Sequence, residues 1–207
     1  MISFESYKKI GILGGTFNPV HMGHLLMSEY AKEAAGLDIV ILMPSGISYM
    51  KAHTNVLPGW QRLKMLELSI ENNPNLMTSD IEVRREGNTY TYETLLHLRR
   101  ICPHAEFYFI VGADSLFSIE NWVKPDVIFQ NCVLLAANRN NVPQDTLNAK
   151  KLELEARFHA NIMMMDFPQI DISSTTIREN VRAGKSIRYM VHENALQYIQ
   201  ENQLYKK

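Results

Sequence analysis

Short apolar runs alternate along this chain with segments whose apolar positions recur every three or four residues. The runs are Lys9–Leu13, Ile39–Met43, Met77–Val83, Phe107–Val111, Val133–Ala136 and Ile162–Met165. Several are apolar on both faces, as strands covered on both sides in a parallel sheet must be. In the first helical segment Leu25, Leu26, Tyr30, Ala31 and Ala34 share one side, and Gly36 is placed to end it. The same periodicity predicts helices over Pro58–Asn72, with Pro58 near its start, Tyr92–Arg100, Thr146–His159 and Glu193–Glu201. Strands alternating with helices predict an α/β fold, a doubly wound parallel sheet with helices on both faces. No repeat, low-complexity tract or Pro/Gly/Ser-rich linker divides the chain, so residues 1–207 are expected to form one domain.

In such folds ligands sit beyond the carboxyl ends of the strands. Gly14–His24 follows the first predicted strand, Pro44–His53 the second and Tyr90–Thr94 the third. Gly112–Asp114 follows the fourth, Arg139 the fifth and Ser173–Arg178 the sixth. All the polar and glycine-bearing segments are thereby predicted to share one rim.

Composition narrows the partners. The 21 basic and 22 acidic residues nearly cancel, which argues against general affinity for nucleic acid or membranes. Apolar residues make up 46%, enough for a substantial core. The two cysteines, Cys102 and Cys132, lie in or beside apolar segments and read as core residues in a reducing compartment. The segment Met1–Ser6 has neither a basic region nor a long apolar stretch, so the cytoplasm is the expected location. A homo-oligomer is compatible with the sequence.

The densest concentration of chemistry is Gly14-Gly15-Thr16-Phe17-Asn18-Pro19-Val20-His21-Met22-Gly23-His24. A strand, a glycine-rich turn and a helix start form a ready anion site, because backbone N–H groups and the helix dipole point at it. His21 and His24 add donor groups at the same helix start. Two glycines alone would mean only a tight turn. The segment is not a dinucleotide fingerprint, since Gly-x-Gly-x-x-Gly does not occur. Gly184-Lys185-Ser186 ends like a P-loop, but Glu179 stands where the first glycine would be, so it reads as a turn after a helix. A metal site at His21 and His24 would need further His or Cys ligands, and no such cluster follows; no metal ligand is assigned. The run Met163-Met164-Met165 reads as core, and Trp60 as a packing residue.

His21-Met22-Gly23-His24 resembles the His-x-Gly-His signature of the nucleotidyltransferase superfamily. The Gly-Gly-Thr-Phe-Asn-Pro-Val-His form is similar to that of bacterial nicotinate-nucleotide adenylyltransferases. Three further segments resemble that family in the right order. They are Thr89-Tyr90-Thr91-Tyr92-Glu93-Thr94, Val111-Gly112-Ala113-Asp114-Ser115-Leu116 with Trp122 beyond it, and Ile172-Ser173-Ser174-Thr175-Thr176-Ile177-Arg178. The ending, Tyr198 to Tyr205, is similar too. The resemblance implies a Rossmann-like nucleotidyltransferase fold that transfers AMP from ATP to nicotinate mononucleotide in NAD synthesis, with Mg²⁺ carried in on ATP.

It also implies roles. His21, His24 and Arg178 are the expected catalytic residues, with His24 on the α-phosphate and Arg178 on the β- and γ-phosphates. Gly14, Gly15, Thr16, Phe17, His24, Gly112, Asp114, Arg139, Ser173, Ser174, Thr175 and Arg178 are expected to bind ATP. Asn18, Lys51, Thr91 and Trp122 are expected to bind the mononucleotide, Trp122 by stacking on the pyridine and Thr91 at its carboxylate. The family's usual Pro-Pro-His-Lys is here Ser48-Tyr49-Met50-Lys51, so Met50 replaces a histidine, and His53 is a candidate substitute. Three other readings remain in view. One is a sister adenylyltransferase with a different acceptor; the second is a nucleotide-binding regulatory module without catalysis; the third is a metal hydrolase using His21 and His24.

Overall fold

A computed structural model of the chain describes residues 7–48, 56–138 and 142–206. Lys51, Met50, His53 and Arg139 lie outside the described residues. The order of elements is β1 (Lys9–Gly15), α1 (Met22–Ala35), β2 (Ile39–Pro44), β3 (Ile47–Ser48), α2 (Gly59–Ile70), β4 (Leu76–Thr78), β5 (Asn88–Thr89), α3 (Thr91–Ile101) and β6 (Glu106–Gly112). It continues with α4 (Ala113–Ser118), a 3₁₀ turn (Ile119–Asn121), α5 (Pro125–Asn131), β7 (Val133–Asn138), α6 (Gln144–Phe158), β8 (Ile162–Asp166), α7 (Ser174–Arg182) and α8 (Glu193–Glu201).

Six strands pair in the order β4-β2-β1-β6-β7-β8, all parallel. Counted along the chain this is the order 3-2-1-4-5-6, a doubly wound sheet whose winding direction reverses between β1 and β6. Alternation along β1 explains why both faces are covered. Ile10 and Ile12 join one core with Ile39, Ile41, Phe107 and Phe109 under α3, α5 and α6, through Leu98, Phe129 and Leu154. Leu13 joins the other core with Val40, Leu42 and Ile110 under α1, α2, α7 and α8, through Ala31, Leu66, Ile177 and Ile199. The period of two along each strand thus feeds two separate apolar layers.

Most predicted elements are present, and their ends follow local chemistry. Gly36 ends α1 at φ 60°, the left-handed conformation in which glycine has no steric cost. The third predicted strand is corrected: only Leu76–Thr78 pairs with β2, and Ile81–Val83 lies in a turn whose Asp80 carbonyl accepts from Arg84 N–H at 2.9 Å. Trp60 is also corrected. Its ring is 52% exposed, beneath the Arg84 guanidinium 5.2 Å away, and packs in no core. Cys102 and Cys132 are buried and form no disulfide, and burial pushes the Cys132 thiol up to about 12. No helix among the described residues is long and apolar enough to cross a membrane.

One surface carboxylate ties β1 to β2. Asp38 Oδ2 accepts from the backbone N–H groups of Lys8 (2.7 Å) and Lys9 (2.9 Å). These bonds, Lys9 first, hold its carboxyl below the usual carboxylate range. A carboxylate so depressed stabilises the fold above its unfolded value and loses that contribution as pH falls through its lower folded value. Asp38→Asn should therefore lower the urea midpoint at pH 7, and the gap from wild type should close below about pH 4, the ordinary Asp range. An equal gap at pH 7 and in acid would refute the linkage.

Candidate active site

The site forms where the winding reverses, because only there do the loops after β1 and β6 part to opposite faces. Gly14 and Gly15 end β1, and Gly15 O accepts from Ser45 N–H at 2.8 Å, which ties the turn to the end of β2. Thr16 is half-buried. The Phe17 ring is 1% exposed, so this residue can present only backbone to a ligand. His21 caps α1, and His24 lies one turn in. Their rings stack 3.6 Å apart, and the Phe17 ring meets His24 edge-on at 4.8 Å. His21 N–H donates to His24 Nδ1 at 3.3 Å. In the neutral ring this assigns the remaining proton to Nε2, the far edge of the imidazole.

The start of α7 docks on the same turn. Ser174 Oγ donates to Pro19 O (2.8 Å), and an Arg178 guanidinium N–H donates to Asn18 O (2.8 Å). The second terminal nitrogen of Arg178 reaches Thr175 Oγ1 at 3.3 Å. Ser173 caps α7, its hydroxyl accepting from Thr176 N–H at 3.1 Å. Helices α3, α4, α5, α6 and α8 each carry an acidic residue in the first turn; α1, α2 and α7 carry none. The two helix ends that meet the β1 turn thus keep their positive dipole ends free of side-chain carboxylates, which suits an anion.

Gly112 caps α4, and Asp114 is exposed in its first turn. Trp122 is half-buried with its ring edge-on to Phe109 at 6.2 Å, and Phe109 in turn lies 3.6 Å from where a Cβ on Gly14 would be. Thr91 opens α3 behind Tyr90. Buried polar atoms are normally paired. Trp122 Nε1, Asn138 Oδ1 and Arg178 Nε are buried without a partner among the described residues, and all three belong to segments at the carboxyl rim.

Sequence reasoning missed four residues that build this rim. Glu82 accepts from Thr94 Oγ1 at 2.8 Å, and burial pushes its carboxyl up, partly offset by Thr94, Arg85, Thr89 and the Gly46 N–H. It brings the Thr91 segment against the loop after β2. Gly46 is required there, since a Cβ would sit 2.3 Å from Glu82 O. Arg62 is 3% exposed, and Tyr205 is 8% exposed with its hydroxyl donating to Asn18 Oδ1 at 3.0 Å. The available signal for Arg62 was its place on the apolar stripe with Leu66 and Ile70, where a charge needs buried partners. Among the described residues no group of three or more His, Cys, Asp or Glu could hold a metal ion.

Comparison with known proteins agrees with this geometry. The model of the cytidylyltransferase-like family matches residues 12–180. A Lachnoclostridium phytofermentans protein named "probable nicotinate-nucleotide adenylyltransferase" is 40% identical over 198 residues, 96% of this chain and 99% of that relative. One of the same name from Enterococcus faecalis is 36% identical over 208 residues, 99% of this chain and 88% of the relative. The solved Plasmodium falciparum nicotinic acid mononucleotide adenylyltransferase complexed with NaAD shares the fold, with TM-score 0.77 at 20% identity, over 96% of this chain and 97% of that one. With the sheet order, the glycine-rich turn and the two docked helix ends in place, this chain belongs to the nicotinate-nucleotide adenylyltransferase family, within the cytidylyltransferase-like proteins.

Proposed function

We propose that this chain transfers AMP from ATP to nicotinate mononucleotide, giving nicotinate adenine dinucleotide and pyrophosphate, a step of NAD synthesis. The observation that carries the reading is the meeting of the α1 and α7 N-termini, free of acidic first-turn residues, on the β1 turn beside His21, His24 and Arg178. The acceptor phosphate attacks the α-phosphorus, the new P–O bond forms as the bond to the bridging oxygen breaks, and pyrophosphate leaves. A phosphate nucleophile is already ionised at neutral pH, so no general base and no covalent intermediate is required. Catalysis then consists of holding two anions in line and stabilising charge on the group in transfer.

In this reading His24 presents its Nε2–H to the α-phosphate, and the stacked His21 fixes the ring. Backbone at Gly15, Thr16 and Phe17 and the start of α7 hold phosphate oxygens. Arg178 takes the β- and γ-phosphates. Gly112, Asp114 and Arg139 contribute to the nucleotide, Asp114 at a sugar hydroxyl. Asn18, Lys51, Thr91 and Trp122 form the mononucleotide side. Mg²⁺ enters as part of MgATP, where it neutralises triphosphate charge. N–H and hydroxyl donors at the start of α3 favour the nicotinate carboxylate, since an amide NH₂ would leave donors facing donors.

The test is pyrophosphate release from MgATP with nicotinate mononucleotide and nicotinamide mononucleotide as parallel acceptors. Release with the acid at a kcat/KM at least about 100-fold above that with the amide is expected, the order reached when donors meet a mismatched group. Equal release with both would overturn the acceptor assignment. Nucleotide binding without release would move the chain to the regulatory reading.

A further inference from the structure

We propose that the C-terminal turn is a working part of this active site: Tyr205 and Arg62 are positioning residues that clamp the Thr16–Pro19 turn in its productive shape. The inference rests on the adenylyl-transfer reading above.

The turn contains a strained residue. Phe17 has φ 48°, a conformation that L side chains other than Asn and Asp adopt at a cost and keep only where the surroundings over-determine it. The surroundings do so from both sides. Before Phe17, the Thr16 carbonyl accepts from an Arg62 terminal nitrogen at 2.7 Å. After it, the Asn18 carbonyl accepts from Arg178, and Asn18 Oδ1 accepts both Tyr205 Oη–H at 3.0 Å and Leu57 N–H at 3.2 Å. The other nitrogens of Arg62 donate to Ser45 O (2.6 Å) and Leu57 O (2.9 Å). One planar guanidinium thus joins the turn after β1, the loop after β2 and the entry to α2. The Leu57 N–H on Asn18 Oδ1 ties this assembly back to the residue after Phe17, and Tyr205, 187 residues away in sequence, adds a second donor to the same oxygen.

Stability alone is a poor reason for this arrangement. A buried guanidinium is expensive to desolvate, and an apolar side chain of similar volume often serves a core as well. A planar fork does supply fixed directions, which a cluster of apolar side chains cannot. Those directions matter because the Phe17 ring abuts His24. If the Thr16 carbonyl loses Arg62, or the Asn18 side chain loses Tyr205, Phe17 can relax from its strained φ, and its ring then moves against the imidazole. Displacement of a reacting group by about 1 Å is enough to cost about 100-fold in rate. Neither Tyr205 nor Arg62 needs to touch substrate for this, and at 8% and 3% exposure both lie beneath the rim.

The experiment compares wild type, Tyr205→Phe, Arg62→Lys and the control Tyr189→Phe, whose ring is 83% exposed. It measures kcat and KM for both substrates, the thermal midpoint, and amide hydrogen exchange by peptide. Tyr205→Phe keeps the ring and removes only the hydroxyl. It should lower kcat about 10-fold, the order of one buried hydrogen bond. KM for each substrate should stay within about threefold. Faster exchange should be confined to residues 14–24 and 56–58. Arg62→Lys should show the same pattern with a larger loss, and Tyr189→Phe should match wild type. Unchanged kcat in Tyr205→Phe would overturn the proposal, as would exchange that rises evenly across the sheet. Wild type inactive with both acceptors would defeat the adenylyl-transfer reading instead, and the exchange pattern would still decide the clamp.

Discussion

Replacing His24 with alanine should lower kcat by about 100- to 1,000-fold while the protein stays folded. The size follows from what the ring supplies. A donor held at the transferring group before reaction acts in a partly dry site and needs no reorganisation, and removing one such donor typically costs this much. The geometry here is held from three sides: His21 N–H on Nδ1, the His21 ring at 3.6 Å, and the Phe17 edge at 4.8 Å. None of these depends on substrate, so the proton on Nε2 is aimed in advance. The KM for ATP should move only a few-fold, because the ground-state triphosphate is held mainly by backbone and by Arg178 in this reading. Stability should fall by no more than about 1 kcal/mol, the value of one helix-start interaction. The check is steady-state kinetics beside a thermal melt. A kcat within tenfold of wild type would remove His24 from the α-phosphate.

Arg178→Met should lower kcat/KM for ATP by about 100-fold, mostly through KM. Two charge-assisted hydrogen bonds to phosphate are lost, each worth about 1.5 kcal/mol at the low end of their range. About 3 kcal/mol is roughly two powers of ten. The loss has a second component, since the guanidinium also donates to Asn18 O at 2.8 Å and anchors α7 to the β1 turn. Arg178→Lys separates the two. It keeps the charge but not the fork, so it should recover part of the affinity, while the tie to Asn18 is reproduced poorly. Calorimetric titration of a non-hydrolysable ATP analogue against both variants is the measurement. Affinity within twofold of wild type in Arg178→Met would show that this arginine serves only the turn.

Legibility differed from residue to residue for physical reasons. The apolar runs of β1, β2, β6, β7 and β8 were readable because each strand is buried on both faces. The strand over Met77–Val83 was overextended, since past Thr78 the chain turns at Asp80 and leaves β2. The short elements α4 and α5 and the parallel pair β3–β5 were missed. Segments of two to seven residues carry too few positions to display a period, and β3–β5 forms only because Glu82 and Gly46 bring distant segments together. Trp60 was misread because it stands on a helix among apolar neighbours, yet points to solvent beneath Arg84.

The site divides in the same way. The glycine-rich turn, His21, His24, the Ser173–Arg178 segment and the family they indicate were present in the sequence, because an anion site of this kind is built from contiguous residues at a strand end and a helix start. That Phe17 is buried under a strained φ, that His24 receives the His21 N–H, and that Asn18 is gripped by residues 57, 178 and 205 could come only from the tertiary structure. Local chemistry fixes which groups a turn offers to a ligand. Which of those groups are held, and from where, depends on contacts between segments far apart in the chain, and no periodicity or motif records them.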